Sequence, residues 1–207
     1  MLKRTKGYLL LALLVLTGLA GNTHSNSISG KERRSLVNSL KDSKATFLKS
    51  VKGLSEAQLN FKPAPDRWSV KECIYHIALS ENSLWSLADA QLKQAPNPDK
   101  RSEVKMTDEM VTKALTDRSH KVKTSEFLEP DKAKWKTADE AIEDFTEKRA
   151  NLVKYVKTTT EDVRNHIVQM PFGYLDTYQL MLMISGHTLR HTQQIEEVKA
   201  DPNFPNH

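Results

Sequence analysis

The sequence predicts an all-α protein, a four-helix bundle, on three observations. Apolar residues recur at spacings of three and four in four stretches of about 20 residues, each long enough for a helix of roughly 30 Å. Three of the four open on a capping box, a short polar side chain followed three places later by Glu or Gln: Ser69 with Glu72, Thr137 with Glu140, and Asp176 with Gln179. No segment alternates apolar and polar residues for long enough to make a strand, and 7 Gly and 8 Pro among 207 residues are too few for a sandwich full of tight turns. Helices of matched length suit a bundle. The chain has no internal repeat of fixed period.

The chain opens with Lys3, Arg4 and Lys6, continues in an apolar run over residues 8–16, and reaches small residues at Gly18 and Ala20. A basic start, a short apolar middle and a small-residue end form a secretory signal peptide over residues 1–20. The competing reading is a membrane anchor, but residues 7–20 number only 14, whereas a bilayer core takes about 20. No cysteine is present there to carry a lipid anchor. Cleavage near Gly21 gives an exported protein, periplasmic or secreted, without stable membrane insertion. Residues 21–30 read as a flexible polar leader. Without the three leader cations the formal charge falls from +5 to +2. That leaves no basic cluster of the kind nucleic-acid binding needs. A single cysteine, Cys73, excludes an internal disulfide framework and a zinc site of several thiolates.

The first long helix spans residues 31–52, with Leu36, Val37, Leu40, Phe47, Leu48 and Val51 inward. A loop with Gly53, Pro63 and Pro65 follows. The second runs from Val70 to about Lys93 on Ile74, Ile77, Leu84 and Leu92, with Trp68 packed back on Cys73, and stops at Pro96 and Pro98. A more polar helix, from Thr107 to about Lys123, has a thin stripe of Met110, Val111, Ala114 and Leu115. It is expected on the outside of the bundle, between the second and third long helices. The third long helix starts at Thr137 and buries Ile142, Phe145, Leu152, Val153 and Val156. The fourth starts at Asp176, runs through Leu180, Met183, Ile184, Ile195 and Val198, and ends before Pro202. The bundle therefore occupies residues 31–199, with a short tail at 200–207.

His187 and His191, four apart, project from one face of the fourth helix and fall on its apolar stripe. His76 lies on the second helix, in a row with Ser69, Cys73, Ser80, Ser83 and Leu87, whose small side chains leave room. Seven histidines give about 0.2 chance pairs at spacing four, so the pair alone says little. Two buried imidazoles, however, each need partners for both ring nitrogens. Either they are hydrogen-bonded core residues, or a metal ion supplies one partner to each. Cys73 is a fourth ligand or a small core residue, and Arg190 holds an anionic substrate or a surface ion pair. Trp68 and Trp85 read as packing residues, and His24, His120, His166 and His207 as solvated. Glu72 and Glu81 are the nearest carboxylates in sequence, and Glu72 already serves a cap.

The segment Arg67-Trp68-Ser69-Val70-Lys71-Glu72-Cys73-Ile74-Tyr75-His76 resembles the Trp-Ser-x-x-Glu-x-x-x-His segment of the DinB/YfiT-like superfamily of metal-dependent hydrolases. Gly186-His187-Thr188-Leu189-Arg190-His191-Thr192-Gln193-Gln194-Ile195 resembles that family's C-terminal His-x-x-x-His helix, and Pro63-Ala64-Pro65 before the tryptophan fits as well. The resemblance covers residues 31–199. It implies helices in up-down-down-up order and a divalent metal ion, zinc or nickel as a rule, held by His76, His187 and His191. Three imidazoles leave coordination positions open, the arrangement of catalytic sites. Relatives include thiol-dependent transferases as well as hydrolases, and dimers are common among them. An export signal argues against a cytoplasmic thiol as co-substrate. The functional expectation is a metal-dependent hydrolase or transferase of a small molecule, the alternative a non-catalytic binder on the same bundle.

Overall fold

Each long helix begins where a side chain takes over free backbone amides. In the computed structural model, which describes residues 28–119 and 123–206, α1 (Gly30–Val51) is capped by Ser29 and α3 (Val70–Leu92) by Ser69. Asp176 caps α6 (Thr177–Lys199), and in all three the Glu or Gln three places on bonds back to the cap. Thr137 caps α5 (Ala138–Thr158), but Glu140 reaches past it to the amide of Lys136, so the expected box is only half formed. Two short helices, α2 (Glu56–Asn60) and α4 (Asp108–Thr116), lie between the long ones.

Helix directions follow from the contacts. Ser39 meets Ser185 at 2.7 Å and Ser50 meets Glu196 at 2.5 Å, so α1 and α6 run parallel. Tyr75 stacks near Trp135 and Asn82 bonds Asp144, so α3 and α5 also run parallel. Arg33 reaches the carbonyl of Thr159 while Lys44 reaches that of Thr146, which makes α1 antiparallel to α5. His76 meets His187 while Ala88 shares a cluster with Leu180, which makes α3 antiparallel to α6. Each of α1 and α3 packs on both α5 and α6. The order is up-down-down-up, as the resemblance implied.

The core has two main apolar clusters along the bundle. One gathers Phe47, Cys73, Ile74, Ile77, Phe145 and Ile195, with the Phe47 and Phe145 rings edge-on at 4.9 Å. The other gathers Leu36, Leu40, Leu152, Val156, Tyr178 and Ile184. Among the described residues no helix is long and apolar enough to cross a membrane.

Several expectations change. The structure contains an antiparallel hairpin, β1 (Ile167–Met170) and β2 (Gly173–Asp176), with Ile167 opposite Asp176. Its strands have four residues each, too short for alternation to register. The polar helix ends at Thr116 rather than near Lys123, because Asp117 turns the chain by accepting the amide of Ser119. The signal peptide and most of the leader, residues 1–27, lie outside the described residues, but the leader's end is not loose: Ile28 is buried and Ser29 caps α1. The tail is also docked, with Phe204 edge-on to Phe61 and the Pro205 carbonyl accepting from Gln58.

Candidate metal centre

α3 and α6 bring His76, His187 and His191 together, with one ring nitrogen of each within 4.8 Å of the others. The Nε2 atoms of His76 and His187 stand 3.2 Å apart. Two ligands at about 2.05 Å from a tetrahedral ion are roughly 3.3 Å apart, so this spacing fits a shared cation. His76 Nδ1 donates to the carbonyl of Leu128 at 2.8 Å, and His191 Nδ1 to Gln194 Oε1 at 3.0 Å. Donation from Nδ1 leaves the Nε2 lone pair bare and aims the ring, as ligating histidines require. The donor set fits a divalent metal ion.

Electrostatics reinforces this. Burial holds all three imidazoles below the usual histidine range. His187 is pushed down to about 3, by burial first and then by His76 and Arg190. Burial and the other two histidines hold His191 well below 6.5. The rings are therefore neutral at pH 7, the form that binds metal.

Trp68 is more than packing. Its ring lies 4.8 Å from that of His76 and 5.9 Å from that of His191, walling one side of the centre. Beyond it opens a cavity of about 530 Å³, lined by Trp68, His191 and Gln194. Its charged lining is mixed: Arg67, Arg118, Lys123 and Arg190 against Asp66, Glu129 and Glu197. Arg118 grips Glu197 with two bonds of 2.7 Å. The expected space beside Ser80 and Ser83 is not the cavity: Ser80 is buried, and neither residue lines the opening.

Other sequence readings resolve plainly. Cys73 is fully buried among apolar side chains and does not join the histidine group, and burial pushes its thiol up. Arg190 is not a surface residue; its Nη1 bonds the carbonyls of Leu115 and Asp117, closing the end of α4. Glu72 pairs with Lys62 besides its cap. Glu81 is buried against Arg149. His166 is not solvated: it is buried in contact with the Gln91 carbonyl at 3.0 Å. His24, His120 and His207 lie outside the described residues. Sequence reasoning missed the Leu128 carbonyl, which ends a single 3-10 turn (Glu126–Leu128) too short to leave a pattern. It also missed Arg149, although that residue falls on the apolar row of Phe145, Leu152 and Val156.

A helical bundle with a three-histidine cluster, His76 and His191 buried and His187 half-buried, beside a polar cavity defines a class of candidate metal-binding proteins. The sequence profile of the DinB superfamily matches residues 39–195, and the chain belongs to that superfamily. It is 25% identical over 150 residues to YuaE, an uncharacterised protein of Bacillus subtilis (strain 168), covering 72% of this chain and 88% of the relative. Among solved structures it is similar to YfiT from Bacillus subtilis, with a TM-score of 0.57 and 15% identity, over 84% of this chain and 89% of that one. YfiT is described as a probable metal-dependent hydrolase with an unusual four-helix bundle topology. The likeness shows a shared fold.

Proposed function

We propose that the chain is an exported metalloenzyme that hydrolyses, or transfers a group from, a small polar molecule at a divalent ion held by His76, His187 and His191. One observation carries the reading: His191 both closes the histidine cluster and lines the cavity, so whatever fills the cavity adjoins the metal-binding nitrogens. The cavity's size lies in the range of small-molecule sites. Zinc or nickel would supply Lewis acidity there. The protein's own residues do the rest. Leu128 and Gln194 fix the rings, Trp68 keeps water from one flank, and the cavity's cations and acids orient a polar substrate. Since Glu197 is committed to Arg118, the other two acids of the lining, Asp66 and Glu129, are the candidates to take a proton from an attacking nucleophile.

Elemental analysis of the mature protein, purified without a histidine tag, should find about one divalent ion per chain, lost on replacing any of the three histidines by alanine. Full metal content in all three variants would overturn the assignment. Slow metal-dependent turnover of activated esters or amides should disappear in His187→Ala while the helical circular dichroism stays. Mass spectrometry of native envelope protein should find an N-terminus near Gly21, and an intact Met1 on cytoplasmic protein would refute export. The occupied state of both Glu72 and Glu81 favours a second reading, a non-catalytic binder. A cobalt-loaded protein whose visible spectrum ignores every added ligand would put that reading ahead.

A further inference from the structure

We infer that Arg149 is a positioning residue for the histidine centre: its guanidinium clasps all four long helices at one level and so sets where His187 and His191 meet His76. Arg149 is fully buried, and each of its five N–H groups has a partner. Nε and Nη2 donate to the two carboxylate oxygens of Glu81 on α3, at 2.7 and 2.6 Å. Nη1 donates to the Leu40 carbonyl at 2.8 Å and to Ser43 Oγ at 2.7 Å, both on α1. The second Nη2 proton goes to Thr188 Oγ1 on α6 at 2.9 Å. One side chain of α5 thus fixes a point on each of the other three helices.

The placement ties this clasp to the metal ligands. Thr188 directly follows His187, and it shares a helix face with His191, three places on. Glu81 is five residues beyond His76 on α3, about 7.5 Å along the axis. On every long helix the clasp lies between the two apolar clusters: Phe145 and Leu152 flank Arg149, Ile77 and Leu84 flank Glu81, Ile184 and Ile195 flank Thr188. Apolar packing tolerates small slides of one helix on another, whereas a forked, fully bonded guanidinium permits one arrangement. A buried ion pair is weak evidence for stability but a recognised device for fixing register. The same register brings the His76 and His187 nitrogens to 3.2 Å.

This role rests on the metal-binding reading for its main readout, cobalt(II) titration followed by affinity and visible spectrum. Arg149→Met alone strands a buried carboxylate and is apt to unfold the chain, so the test uses Thr188→Val, which removes one acceptor isosterically, and Arg149→Lys, which keeps the charge and loses the fork. Both should stay helical, bind cobalt about tenfold or more weakly, and show a shifted spectrum. Val163→Ala, a core truncation away from the clasp, should lose stability but keep wild-type affinity and spectrum. Unchanged affinity and spectrum in both clasp variants would overturn the inference. If the unmodified protein takes up no cobalt, the metal reading falls, and long-range nitrogen NMR of the imidazoles decides the positioning role without metal. Displaced ring signals of His187 or His191 in Thr188→Val support it, and superimposable ones overturn it.

Discussion

Metal-depleted protein should lose stability steeply between pH 6.5 and 5, well above the range in which carboxylates titrate. The perturbation is protonation of the unfolded chain. Unfolded histidines take up protons below about 6.5, whereas His187 in the folded state resists down to about 3. The folded pKa lies below the unfolded one, so stability is full above pH 6.5 and drains away as the pH falls through that window. Each such group costs about 1.4 kcal/mol per pH unit, hence about 2 kcal/mol at pH 5 for His187 alone. His76 and His191 are displaced in the same direction and add to the loss. Glu32 does not confuse the window: burial alone would raise its pKa, but hydrogen bonds from Ser29 and Arg164 bring it to about 2, so its contribution fades only below about 4.5. Urea denaturation in the presence of a chelator, at half-unit steps from pH 7.5 to 5, measures the slope. His187→Gln should flatten it by about its own share. A wild-type stability that stays level from pH 7 to 5 would refute the buried, neutral cluster.

Two further outcomes follow from packing. Cys73, whose thiol burial holds far above its ordinary value, should resist alkylation in the native protein at pH 8 and react fully in denaturant; native labelling within minutes, read by mass, would contradict its placement. Gly186→Ala sets about 1 kcal/mol of helix propensity gained against the strain of a methyl that would meet Leu115 side-chain atoms at 3.0 and 3.1 Å where α4 lies on α6; a net loss of up to about 2 kcal/mol in thermal or urea unfolding is expected, and a gain of about 1 kcal/mol would mean that α4 yields freely.

Much of this was legible in the sequence because it obeys a period. Long amphipathic helices announce themselves over 20 residues, and the capping boxes mark their starts within a residue or two. The pair His187 and His191 lies on one helix face, so spacing alone put both on the same side. That His76 would join them needed the family's motif, since no local pattern reports on a contact between helices 111 positions apart. The hairpin escaped because its four-residue strands carry no readable alternation. The Ser29–Glu32 capping box was overlooked inside a polar leader, although it has the same pattern as the boxes that were read. Arg149 was readable as a charge on an apolar row, an anomaly that calls for a buried partner. Its partner Glu81 sits 68 positions away, and only the fold reveals it. The cavity's location depends on Arg118, Lys123 and Glu129, which lie outside the long helices, where no helical periodicity marks a residue.

Because α1 and α6 run side by side in one direction, the two ends of the folded domain lie at opposite poles. The 22 residues of α1 carry the chain about 33 Å from Ile28 to the pole where Trp68, Arg118 and Glu197 rim the cavity. Anything joined ahead of Ile28, whether an immobilisation tag, a reporter domain or a surface tether, leaves the cavity mouth facing outward and unobstructed. The same cargo joined after Pro205 emerges beside α2, at the cavity's own pole. Sensor fusions and surface-capture assays on this protein should therefore be built from the amino end.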